Sequence, residues 1–198
     1  MKIKHVLLAA VLMGSLSATA KDYHYTTIPG DAMKTRIYTL DNGLTVYMSV
    51  NKEKPRLQAN IAVKTGSRND PAETTGLAHY LEHLMFKGTQ KFGTTDPAKE
   101  KPYLDEITRR YESYRKLTDP AQRKQAYHEI DSVSQLAAKY NIPNEYDKLM
   151  ASIGSQGTNA YTSNDVTCYV ENIPNNEIEN WAKVQSDRFQ NMVIRGFH

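Results

Sequence analysis

His79, Glu82 and His83 fall within five residues of "GLAHYLEHLMF" (76–86), a run otherwise built like an ordinary helix. At about 100° per residue, His83 lies about 40° from His79 and Glu82 about 60° on its other side, so all three share one face. Leu77, Leu81, Leu84 and Met85 group on the opposite side and are expected to pack inward. Two imidazoles one turn apart can converge on a single metal ion. Catalytic zinc takes three protein ligands and keeps a position open for water. A carboxylate beside that position can act as general base, because zinc acidifies water. His79 and His83 are therefore the candidate metal ligands and Glu82 the candidate base; the alternative is three polar residues on a solvated helix face.

Other parts of the chain must hold this helix. "TRIYTL" and "LTVYMSV" flank Asp41-Asn42-Gly43, a hairpin signal. "RLQANIAVKTG" alternates at Leu57, Ala59, Ile61 and Val63, as a strand with one apolar face does. "SRNDPAETTG" is turn material, with Thr75 the expected N-cap of the helix. Residues 97–140 are charged, tyrosine-rich and free of glycine. The stripes Leu104, Ile107, Tyr111, Tyr114 and Ala126, Ile130, Val133, Ala137, Tyr140 predict an antiparallel helical hairpin. Pro120 stands at a natural first helical position. The hairpin is expected to be self-contained, its charges a solvated face or a docking arm.

A short helix is expected over 145–151, followed by the glycine-bearing "SIGSQG". "TNAYTSNDVTCYVENI" reads as one extended segment, with Cys168 between Val166 and Val170 on the buried side as a small apolar residue. Beyond Pro174, an amphipathic helix would bury Ile178, Trp181, Ala182, Val184, Gln185, Phe189 and Met192.

Residues 1–20 carry Lys2 and Lys4, an apolar run from Val6 to Met13, and the small-residue end "SATA". That is the pattern of a secretory signal peptide, and the run is shorter than the roughly 20 residues a membrane span needs. An exported chain without a stable membrane anchor is expected, periplasmic or secreted. Removing both lysines takes most of the net charge of +3 away, and no basic stripe points to nucleic acid. The single cysteine excludes an internal disulfide.

"LDNGLTVYM", "VKTGSRND", "GLAHYLEHLMFKGT", "TNAYTSNDVTCYV" and "WAKVQSDRF", in that order, resemble the N-terminal domain of the M16 family of zinc metallopeptidases (pitrilysin, insulinase and mitochondrial processing peptidase). "HYLEH" is similar to the inverted zinc motif H-x-x-E-H of the inverzincins. The resemblance implies an α+β fold: a mixed, mainly antiparallel sheet with helices packed on it, here with the 97–140 hairpin inserted. It implies Zn2+ held by His79 and His83, Glu82 as base, and an extended peptide or unfolded protein segment added along "NAYTS" as an extra strand. Asn159 and Tyr161 are the substrate-binding candidates on that segment; turn and strand packing is their alternative role. The family's third ligand, a glutamate on a later helix, is expected beyond His198. Glu171, Glu177 and Glu179 lie on other elements. Residues 21–198 would then be an incomplete domain, inactive alone and working with a second M16-like domain or subunit. The rivals are a non-catalytic peptide-binding or partner subunit, and a metal-dependent lyase of small molecules.

Overall fold

The computed structural model describes residues 22–196. Residues 1–20, where a signal peptide is expected, and the chain end at His198 lie outside the described residues. The chain divides into two compact units, one ending at Lys54 and the other starting at Pro55.

In the first unit, Asn42-Gly43 turns the chain as its residue types require. Gly43 takes φ +86°, and the Asn42 side chain accepts from the Leu44 amide at 3.1 Å. This pairs β2 (Arg36–Thr39) with β3 (Thr45–Met48) in the expected hairpin, Thr39 facing Thr45. A third antiparallel strand, β1 (Tyr25–Thr27), adds on the other edge of β2. Sequence gives this piece as a polar lead-in, because three residues are too few to show an alternation.

The second unit is built on β4 (Arg56–Val63), β5 (Gln156–Thr162) and β6 (Thr167–Pro174), all antiparallel in the order β4-β6-β5. "TNAYTSNDVTCYVENI" is thus not one extended segment. Ser163-Asn164-Asp165 folds it back, and the Ser163 amide donates to the Val166 carbonyl at 2.8 Å. Cys168 is buried as expected, yet so are Thr167, Tyr169, Glu171 and Ile173, since the central strand is covered on both faces.

Five α-helices lie among the described residues: α1 (Leu77–Leu84), α2 (Pro97–Tyr114), α3 (Pro120–Ala138), α4 (Glu145–Ser152) and α5 (Ile178–Asn191). Asp96 and Asp119 cap α2 and α3 by accepting from the Lys99 and Gln122 amides, with Pro97 and Pro120 next in line. The two helices pair through Ile107, Ile130 and Ala137, flanked by Leu104, Tyr111, Tyr114 and Val133.

The base of this hairpin is not independent of the rest. The Thr95 amide donates to the Tyr140 carbonyl and the Ile142 amide to Gly93, closing the two ends like a short ladder. Beneath the ladder, Arg195 and Glu100 form a two-point ion pair at 2.9 and 3.0 Å, with only 1% and 2% of their side chains exposed. Arg195 also donates to the carbonyls of Lys87, Thr89 and Phe92. Gly93 makes room for it: a Cβ there would lie 2.7 Å from the guanidinium. Excising 97–140 would therefore strip a buried arginine of its carboxylate, contrary to a self-contained hairpin.

Glu100→Ala is expected to lower the unfolding free energy by about 3–5 kcal/mol, because one buried charge loses its partner. Asp105→Ala, which breaks an exposed pair with Lys101, should change it by less than about 1 kcal/mol. Urea unfolding of the two variants side by side measures the contrast.

Candidate active site

Two clasps set the position of α1. At its N-terminus, Gly76 takes φ +91°, and the Asp70 carboxylate accepts from the Gly76 amide at 2.7 Å and the Ala78 amide at 2.9 Å. Asp70, not the expected Thr75, supplies the cap; it reaches the helix from six residues back, beyond a local capping pattern. Just before it, the Ser67 and Arg68 amides donate to the carbonyls of Ser163 and Asn164 in the β5–β6 turn. Gly66 packs so closely there that a Cβ would sit 2.3 Å from the Ser163 oxygen. "GSRND" thus joins the end of β5 to the start of α1.

At the C-terminal end, Arg188 of α5 donates Nε–H to the Met85 carbonyl at 2.9 Å. Its guanidinium lies 4.3–4.7 Å from the ring centres of Tyr146, Tyr169 and Phe86 and donates to the Tyr146 hydroxyl and the Gln185 side chain. The buried face of α5 is accordingly Gln185, Asp187 and Arg188, while Ile178 and Phe189 of the expected apolar face are exposed. Glu171 completes this cluster, accepting from Tyr146, Trp181 and Gln185. Burial pushes its pKa above the ordinary glutamate value, although these donors and Arg188 pull the other way. Glu177 accepts from Asn180, and Glu179 pairs with Lys183. All three carboxylates are engaged away from the histidines.

The helix is rotated from the orientation its leucines predict. Ala78, Glu82, Leu84 and Met85 are buried, whereas Leu77 and Leu81 are 49% and 44% exposed. The reason is the surface beneath: α1 rests on the β5–β6 side of the sheet, where Thr162 donates to Glu82 Oε2 at 2.5 Å. A hydroxyl waiting there makes the carboxylate, rather than a leucine, the group that turns inward. His79 and His83 are left at the exposed rim with their Nε2 atoms 3.1 Å apart. Two nitrogens on one tetrahedral zinc, each bound at about 2.0–2.1 Å, are separated by about 3.3 Å, so the pair fits as two of the ligands. No group of three or more His, Cys, Asp or Glu able to hold a metal exists among the described residues.

Asn159 lines a cavity of about 360 Å3 together with His83, Phe86, Asn144 and Asp147. Tyr161 faces Cys168 across the strand pair and is 52% exposed. Among the described residues β5 pairs only with β6, which leaves its other edge unpaired beside α1. Thr162, Asp70 and Arg188 carry no role in the sequence pattern alone. Thr162 stood inside "NAYTS", and strand alternation places it on the face opposite Tyr161, the one available signal for it.

Residues 45–100 match the model of the family described as Insulinase (Peptidase family M16). Over 62 residues the chain is 44% identical to the mitochondrial-processing peptidase subunit beta of Neurospora crassa, covering 31% of this chain and 13% of that protein. It is 35% identical over 92 residues to an insulin-degrading enzyme homolog of Dictyostelium discoideum, covering 46% and 9%. Over 75 residues it is 37% identical to a putative zinc protease of Schizosaccharomyces pombe, covering 38% and 8%. The chain thus spans about a tenth of the length of these curated relatives. Its fold is similar to the crystal structure of pitrilysin, with a TM-score of 0.52 and 17% identity over 87% of this chain and 14% of that one. A protease from Helicobacter pylori gives a TM-score of 0.52 at 22% identity, covering 82% and 27%.

Gly66→Ala is expected to destabilise the protein by about 2 kcal/mol or more, because the clash is with backbone rather than a movable side chain. Chemical denaturation measures the loss. Hydrogen exchange should show it first at the Ser67 and Arg68 amides.

Proposed function

Because residues 45–100 match the insulinase family, peptidase family M16, we propose that this chain is a member of it and the metal-bearing part of a zinc metallopeptidase that hydrolyses extended peptides. The observation that carries this reading is the 3.1 Å convergence of His79 and His83 next to a glutamate that strand β5 holds in place. His79 and His83 Nε2 would hold the ion, and bound zinc supplies Lewis-acid chemistry that acidifies water and polarises a carbonyl. Glu82 accepts a proton from the attacking water and returns it to the leaving amine, the two halves of general acid–base catalysis. The open edge of β5 binds the peptide main chain in extended form, and Asn159 with its neighbours receives a side chain. Tyr161 flanks that strand as a second substrate contact.

Export rests on the lysine, apolar and small-residue pattern of residues 1–20. No helix among the described residues is long and apolar enough to cross a membrane. The relatives include mitochondrial-processing peptidase subunits alpha and beta, which supports a second M16-like domain or subunit as partner.

Glu82→Gln should keep zinc while peptide hydrolysis falls by about two to four orders of magnitude, the usual contribution of a general base. His79→Ala and His83→Ala should lose the metal as well. Metal analysis alongside cleavage of a quenched peptide library separates these outcomes. Stoichiometric zinc with no cleavage by the complete wild-type protein would identify a peptide-binding partner subunit instead. Residues 21–198 alone are expected to bind zinc weakly and cleave nothing, since two imidazoles fall short of the three protein ligands a catalytic site takes. Equilibrium dialysis of that piece against zinc, followed by a peptide assay, tests this.

A further inference from the structure

The hydrogen bond from Thr162 to Glu82 does more than satisfy a buried carboxylate. Thr162 is the last residue of β5, the strand whose open edge would take the peptide. A threonine hydroxyl has one proton to give. Here it points at Glu82 Oε2 at 2.5 Å. Behind it, the Thr167 hydroxyl stands 3.3 Å away and has its own outlet in the Thr65 carbonyl at 3.0 Å. Thr162 and Thr167 are direct partners in the strand register, and the β5–β6 turn beyond them is pinned by Ser67 and Arg68. The hydroxyl is therefore held from three sides: by its strand, by its cross-strand neighbour and by the clasp that also leads to the cap of α1.

We propose that Thr162 is a positioning residue for Glu82. Its hydroxyl binds Oε2, fixes the carboxylate rotamer, and leaves Oε1 as the oxygen that exchanges the proton in turnover. This rests on the peptidase function proposed above. The same strand carries both the peptide and the hydroxyl, so a peptide paired along β5 stiffens the residue that aims the base. An extended, well-paired substrate thereby improves the geometry of the step it is about to undergo.

The test compares Thr162→Val and Thr162→Ser in the zinc-loaded protein in its complete natural form. Thr162→Val keeps the shape and removes the proton; kcat should fall about 10- to 100-fold with KM within about twofold, the signature of a misplaced group rather than lost binding. Zinc content should not change. Thr162→Ser restores the hydroxyl and should bring kcat back to within about threefold of wild type. A second measurement needs no turnover. Thr162→Val should lower the melting temperature, and by less than about half as much in a Glu82→Ala background, where the hydroxyl has already lost its acceptor. Additive melting shifts, an unchanged kcat, or a change confined to KM would each overturn the proposal. A wild-type protein that fails to cleave would sink the peptidase reading, and with it the role in turnover. Coupled melting shifts would then still show the hydroxyl holding the carboxylate.

Discussion

The second unit depends on one buried cation. Arg188 is 1% exposed, and the effective penalty for burying such a charge is several kcal/mol. The surroundings offset this in three ways. The Met85 carbonyl, the Tyr146 hydroxyl and the Gln185 side chain accept its protons. Glu171, held by Tyr146 and Gln185, puts an acidic group in the same cluster. Three ring faces surround the guanidinium, and a desolvated cation over a ring gains about 2 kcal/mol. Among the described residues Nη2 has no hydrogen-bond acceptor. Through this one side chain α1, α4, β6 and α5 meet, and the last turn of the helix that carries His79 and His83 is fixed to them.

A second arginine, seven residues later, repeats the device. Arg195 gathers the carbonyls of Lys87, Thr89 and Phe92 and the carboxylate of Glu100. Together the two arginines hold the chain from the end of α1 into the first turn of α2. Apart from the bond of Arg188 to Gln185 on its own helix, these contacts link residues far apart in sequence. The entropy of closing such loops must be offset by burial across the whole unit.

This explains which parts of the molecule could be read from sequence. The Asn-Gly hairpin, the paired stripes of α2 and α3, the burial of Cys168 and the shared face of His79 and His83 are local or periodic features. Neighbouring residues determine them. The rotation of α1 was not legible, because periodicity assumes that leucines find an apolar surface. Beneath α1 the surface presents the Thr162 hydroxyl, and what faces it depends on the β5–β6 fold-back. Asp70 was missed for a related reason: a cap delivered from six residues away leaves no local spacing. Arg188 and Arg195 look in sequence like two solvated charges near the end of a helix, and only long-range packing makes them interior.

One irregularity in the sheet sets the length of the regular open edge. The pairing of β5 with β6 is interrupted between Gln156 and Asn159, and regular register resumes only for Asn159–Thr162. At about 3.4 Å per residue, that regular stretch is about 14 Å long. If the edge takes a peptide as proposed, it works as a short ruler: four consecutive residues free of their own secondary structure would fill it, and a native helix or an internal strand would not enter. Selection would then act on the local looseness of a polypeptide before any side chain is examined. The same interruption shortens the ladder open to a neighbouring copy of the chain, which guards an otherwise adhesive edge.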